Sequence, residues 1–109
     1  MKESLGFTTR RFSKKLQKFS NPRKSQSKAF SYLGHSAKLY PATNIHKKYK
    51  IFDSIHNKWV SFGQIGYEDY TKHKDKSRRK NYLARSTKMK GNWKNNPYSP
   101  NNLSIHILW

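Results

Sequence analysis

The sequence predicts a small α+β domain, a β-hairpin with two or three short helices, preceded by a long basic extended arm. Three observations predict it. Two short runs of strand character flank the turn residues from Ser54 to Asn57. Asp75 and the pair Ser99-Pro100 each mark a helix start. The first 45 residues carry cations and scattered aromatics without any regular period. The chain therefore divides into an arm, 1–45, and a body, 46–109.

In the arm, Phe7, Phe12, Phe19 and Phe30 are spaced 5, 7 and 11 residues apart, which fits neither a helix nor a strand. Pro22 and Pro41 interrupt any continuous helix. Thr9 to Phe19 can place Phe12, Lys15, Leu16 and Phe19 on one helical face. A helix that short is marginal in water, so it is expected to form on binding.

In the body, Tyr49 and Ile51 predict a first strand over 48–53, and Trp59-Val60-Ser61-Phe62 opens a second. Asn57 suits the positive-φ position of the turn between them. Gly63 and Gly66 are expected to break the second strand. Glu68 to His73 can form a helical turn with Glu68/Lys72 and Asp69/His73 paired at i, i+4. Asp75 is a good N-cap for a helix from Lys76 to about Lys90, ended by Gly91. On that helix Arg78, Tyr82, Arg85 and Met89 share one side. Residues 92–98 read as loop. Ser99 before Pro100 starts a last helix that turns Leu103, His106 and Ile107 to the body, with Trp109 as an anchor.

Charge bounds the function. Twenty-four Lys and Arg face five acids, a formal charge of +19, and the first 50 residues hold thirteen cations and one acid, Glu3. So short a chain repels itself unless it lies beside a polyanion. The apolar fraction is 33%, below the ~45–50% of ordinary globular domains. An aromatic fraction of 15% nonetheless argues that part of the chain folds. The absence of cysteine excludes a disulfide framework, a thiolate nucleophile and a cysteine zinc site. The longest apolar run, Ile107-Leu108-Trp109, is far too short to span a bilayer. The opening residues have the composition of a transit peptide, but the cationic bias continues past any cleavage-sized boundary.

Catalytic patterns are weak. Gly63-Gln64-Ile65-Gly66 has the spacing of loops that clamp a nucleic-acid backbone, but it follows a strand and reads as strain relief at a bend. His73-Lys74-Asp75 could hold a phosphate beside a general base, yet no second acid follows and Asp75 already serves as a cap. His35, His46, His56 and His106 are scattered, so no metal or other cofactor is implied. No enzyme is read here.

The stronger constellation is collective. Arg10, Arg11, Lys14, Lys15, Lys18, Arg23, Lys24 and Lys28 are interleaved with Phe12 and Phe19, which could stack on unpaired bases while the cations neutralise phosphates. A second set, Lys74, Arg78, Arg79, Lys80 and Arg85, lies in the central helical region. A solvated helix face normally mixes signs, and this one does not.

Ser61-Phe62-Gly63, the string from Gly66 to Asp75 (GYEDYTKHKD), and Arg79, Tyr82 and Arg85 together resemble the core of a family of small basic proteins of nucleocytoplasmic large DNA viruses. Lys47 to Lys50, Trp93, Ser99 to Asn102 and Leu108-Trp109 extend the likeness over the body, and the arm is not covered. The relatives often carry His where this chain has Ser86. No activity is assigned to that family. The resemblance implies a viral protein, located in the virion or in the viral factory of the host cytoplasm. The function expected is thus non-catalytic binding of nucleic acid, viral DNA, through phosphate contacts. The alternative is a minor structural protein of the capsid or inner virion whose arm threads between other subunits. A ribosomal-type protein fits the composition but not the resemblance.

Overall fold

A computed structural model describes residues 11–109. The fold is α+β: a three-stranded antiparallel sheet in the order β1-β2-β3, with short helices before and after it. The elements are α1 (Lys14–Gln17), α2 (Pro22–Leu33), β1 (Tyr40–Pro41), β2 (Lys47–Asp53), β3 (Lys58–Gln64), α3 (Tyr70–His73), α4 (Lys76–Ser86) and α5 (Pro100–Leu103). The last helix widens into a π turn over Ser104–Leu108, and a 3₁₀ turn at Trp93–Asn95 occupies the stretch expected as loop.

The hairpin forms where the strand pattern places it. Asp53 pairs with Lys58, and Asn57 turns the chain at φ +55°. Asp53 fixes the turn by accepting from the N–H groups of Ile55 (2.9 Å) and His56 (3.0 Å) and from His56 Nδ1 (2.7 Å). Desolvation pushes its carboxyl up, but those donors outweigh it and hold the group below the usual carboxylate range. Tyr49, Ile51 and Phe62 alternate onto the inner face, where they meet Leu103 and Ile107 from the C-terminal helix.

The division at residue 45 is not what the folded chain shows between 11 and 45. Phe12 and Leu16 are core residues, 3% and 4% exposed, and Phe12 meets the Tyr49 ring edge-on at 5.4 Å. Burying each contributes about 1.5–3 kcal/mol, enough to hold a one-turn helix that could not stand alone. Ser13 caps that helix through the Leu16 N–H. Next, Asn21 caps α2 by accepting from Lys24 N at 3.1 Å, with Pro22 in the first turn. The buried side of α2 is Pro22, Ser25, Gln26 and Ala29, which is helical spacing written mostly in small and polar residues. Gln26 donates to the Ala37 carbonyl (2.7 Å) and accepts from the Leu39 N–H (2.8 Å), stitching the following segment to the helix. Residues 1–10 of the expected arm lie outside the described residues.

Gly63 does not break β3, which runs on to Gln64. Asp75 and Ser99 cap α4 and α5 as their positions predict. However, α4 stops at Ser86 rather than near Lys90. Asn101 takes up the last carbonyl of the helix and Asn102 ties down the segment that follows. Asn101 Nδ2 donates to the Ser86 carbonyl (3.0 Å), while Asn102 Nδ2 donates to the carbonyls of Trp93 (2.9 Å) and Asn96 (3.0 Å). Among the described residues no helix is long and apolar enough to cross a membrane.

Candidate nucleic-acid interface

The GYEDYT segment is anchored by charge. Lys48, 2% exposed, donates to Asp69 Oδ2 (3.0 Å), the Tyr67 carbonyl (2.7 Å) and the Phe19 carbonyl (3.3 Å). Desolvation lowers the Lys48 pKa and Asp69 opposes the shift. Asp69 also accepts from the Thr71 hydroxyl, and its N–H donates to the Phe19 carbonyl. Around them Ser20, Ser25, Thr71 and Tyr49 share hydroxyl contacts, with Tyr49 OH donating to Ser20 at 2.7 Å. Burial pushes the Tyr49 phenol well above its ordinary value. The network joins α1–α2, β2 and α3 and leaves Asp69 no role on the surface. The expected pairing of Asp69 with His73 gives way to this one. Glu68 approaches Arg78 (3.8 Å) instead of Lys72, and a half-exposed pair at that distance contributes little.

That anchoring sets α4 beside the end of the hairpin and opens a groove of about 810 Å³ between them and the C-terminal helix. Arg78, Tyr82, Arg85 and Met89, the side singled out by helical spacing, form one wall. Lys47, Gly63 and Gln64 form another, and Leu108 and Trp109 close it. Tyr82 and Trp109 stack with ring centres 4.2 Å apart and planes 7° apart. Arg85 lies over Tyr82 at 5.9 Å. Gly63 is required there. Its φ is +78°, and a Cβ would lie 2.8 Å from Leu108 Cδ1 and 3.2 Å from Lys48 Cβ.

The basic residues divide into groups. Arg78 and Arg85 both line the groove, and Lys80 is exposed on α4. Arg79 is committed: its Nε donates to the Trp109 carbonyl at 2.7 Å, and its guanidinium lies 5.3 Å from the Tyr70 ring centre. Lys28 on α2 is half-buried. Desolvation lowers its pKa, and nearby Arg79 lowers it further. Lys74 is exposed and closes α3 in the left-handed conformation. Lys14, Lys15, Lys18, Arg23 and Lys24 are exposed on and around α1 and α2, and Arg11 lies over the Tyr40 ring at 5.2 Å. Arg10 is outside the described residues.

The two residues expected to stack on bases are placed otherwise. Phe12 is interior, where burial of its ring, with that of Leu16, helps secure the N-terminal segment to the sheet. Phe19 is half-buried at the Lys48–Asp69 junction. The sequence reading missed the outer face of the sheet. There Trp59 (52% exposed) and Phe52 (40% exposed) pair across the strands, with Tyr40 and Lys50 beside them. Strand alternation was the available signal, since Lys50 and Phe52 fall two apart and Trp59 faces Phe52 across the turn.

His73 has a defined tautomer. Its Nδ1 accepts from the Asp75 N–H at 2.9 Å, which puts the proton of the neutral ring on Nε2, buried and facing no acceptor among the described residues. The ring centre is 5.1 Å from that of Trp109. Desolvation lowers the His73 pKa, and Arg78 adds to the effect. The only carboxylate in its triplet, Asp75, accepts from Ser77 N (2.9 Å) and Arg78 N (3.2 Å) as the cap of α4.

No curated protein and no solved structure matches this chain. Residues 37–86, from the approach to β1 through the end of α4, are similar to a family of unknown function, DUF5754. That segment contains the whole sheet, the Lys48–Asp69 anchor and the basic helix.

Proposed function

We propose that the protein is a non-catalytic nucleic-acid-binding protein that holds phosphates with little sequence preference, associated with viral DNA in the particle or the viral factory. One observation carries the reading: the cationic charge is at the surface and almost nothing there neutralises it. Of the four acids among the described residues, Asp69 is buried on Lys48, Asp53 is closed inside its turn, and Asp75 caps α4. The fourth, Glu68, sits 3.8 Å from Arg78. Meanwhile α4, without an acid in its sequence, exposes Lys76, Arg78, Lys80 and Arg85. Its N-terminal turn gathers cations where the helix dipole opposes them, a cost that an anion nearby would relieve. The threading-arm alternative draws less support, because Phe12, Leu16, Ala29, Ala37 and Leu39 of the expected arm are buried in the core.

The test is duplex binding against salt. With on the order of six to ten phosphates engaged, log K against log[salt] should slope at about −5 to −9 whatever the sequence. Reversing Arg78, Lys80 and Arg85 together should flatten the slope by about 3, one unit per lost contact. Arg79 is left unchanged because it supports Trp109. A slope near zero, or preference for an acidic virion protein over DNA at physiological salt, overturns the reading.

A further inference from the structure

We propose that the outer face of the three-stranded sheet is a stacking site for the unpaired bases of single-stranded nucleic acid, centred on Trp59. The proposal rests on the phosphate-binding reading for its choice of a polyanion, but it names a different surface and a different substrate form.

Trp59 and Phe52 are opposite one another on β3 and β2, with ring centres 5.4 Å apart and planes at 71°. Tyr40 on β1 meets Trp59 edge-on at 5.7 Å. Three rings thus cover one end of the sheet's outer face, two of them at least 40% exposed. Core burial does not explain them, because the other face of the same strands carries Tyr49, Ile51 and Phe62.

Charge selects the occupant. Lys50 Nζ lies 4.9 Å from the Trp59 ring centre, and Arg11 lies over Tyr40. The nearest acid in sequence, Asp53, is on the opposite face of β2 and fully buried. An apolar protein or a second copy of this +19 chain would meet uncompensated cations here. A single strand offers both what the rings accept and what the cations accept, since bases have π faces and every nucleotide carries a phosphate. A duplex keeps its bases stacked on each other and cannot use the rings.

The site also has a direction. Strand alternation puts Lys48, buried on Asp69, and the half-exposed Gly63 next on this face, and both line the groove beside α4. From Phe52 to Lys48 is four strand residues, about 13 Å. A strand stacked at Trp59 would run along the sheet toward Arg78 and Arg85.

Binding of oligothymidine and of a duplex of equal length to the full chain, measured by fluorescence anisotropy at one salt concentration, tests this. Trp59→Ala should weaken oligothymidine about 5- to 100-fold and leave the duplex within about twofold. Trp59→Phe should restore most of the single-strand affinity, because it keeps a π face. Trp59→Leu, apolar but not aromatic, should not. Trp59 is half-exposed, so these variants should keep the wild-type circular dichroism. A further variant, Phe52→Ala, provides a second reading of the same face should one of them misfold. Equal losses for both nucleic acids, no loss for either, rescue by Leu, or no binding of oligothymidine at all overturns the proposal. Ring-dependent single-strand binding beside a duplex salt slope near zero in the separate salt titration would leave the stacking site standing and remove the phosphate reading instead.

Discussion

Gly63 carries the sharpest residue-scale consequence. Read along the sequence, it looks like punctuation ending a strand, because a glycine near a second glycine usually does that. In the fold it lies within β3, where the C-terminal helix comes so close that Leu108 leaves no room for a Cβ. A close approach between residues 45 apart in sequence leaves no local trace, whereas Asn57, Asp75 and Ser99 serve their own neighbours and were legible. Gly63→Ala should destabilise the domain by about 1–3 kcal/mol through overpacking, with the positive φ adding to it. Gly91 supplies the control. Its φ is +108° but nothing lies within 4 Å of the added methyl, so Gly91→Ala should cost less. Thermal melts of both variants decide it. Equal losses would mean that the backbone conformation, not the Leu108 contact, makes Gly63 necessary.

At the scale of elements, the hairpin and α4 were readable because their signals are local and conventional. The helix α2 was not. Its buried positions repeat at helical spacing, but they are Pro22, Ser25, Gln26 and Ala29, and a search for apolar periodicity passes over them. Two of them are fixed by polar partners, Ser25 by the Ser20 hydroxyl and Gln26 by the backbone of Ala37 and Leu39, while Ala29 joins the apolar core. The pattern Asn21-Pro22, equivalent to the Ser99-Pro100 pair that was recognised, was the available signal. The groove face of α4 was legible from spacing alone, while its far wall depends on contacts that no spacing reports. If α1 and α2 belong to the domain, Leu16→Ala should cost about 2–5 kcal/mol, and the loss should appear in the melting of the whole chain. Far-ultraviolet and aromatic circular dichroism should then fall together in one transition at a lower temperature. An unchanged Tm for the sheet and its aromatic signal would return residues 11–33 to the status of an independent arm.

For the molecule as a whole, the excess of cations should set how stability responds to pH and salt. Lys28, Lys48, His73 and His106 all have their pKa values lowered, each chiefly by burial. Neighbouring cations add to this in three of them: Arg79 beside Lys28, Arg78 beside His73, and Lys28 beside His106. The folded chain therefore holds fewer protons on these groups than the unfolded chain does. For the two histidines the unfolded state protonates first as pH falls below about 6.5, so stability is highest above that value and declines on the acid side. Protonating His73 also removes the acceptor for the Asp75 N–H at the start of α4. Asp53, whose pKa is lowered, acts in the same direction only near the carboxylate range, and the raised phenols of Tyr32 and Tyr49 matter only above about pH 10. Melting temperature should thus fall between pH 7.5 and 5.5 at low salt. Added salt should raise Tm, because it screens the self-repulsion of a +19 chain, and should do so most at pH 5.5, where the charge is greatest. Combining His73→Gln with His106→Gln should flatten the pH dependence and leave the salt effect in place. A Tm that rises on acidification, or that salt lowers, would mean that burial of these cations is not what limits the stability of the fold.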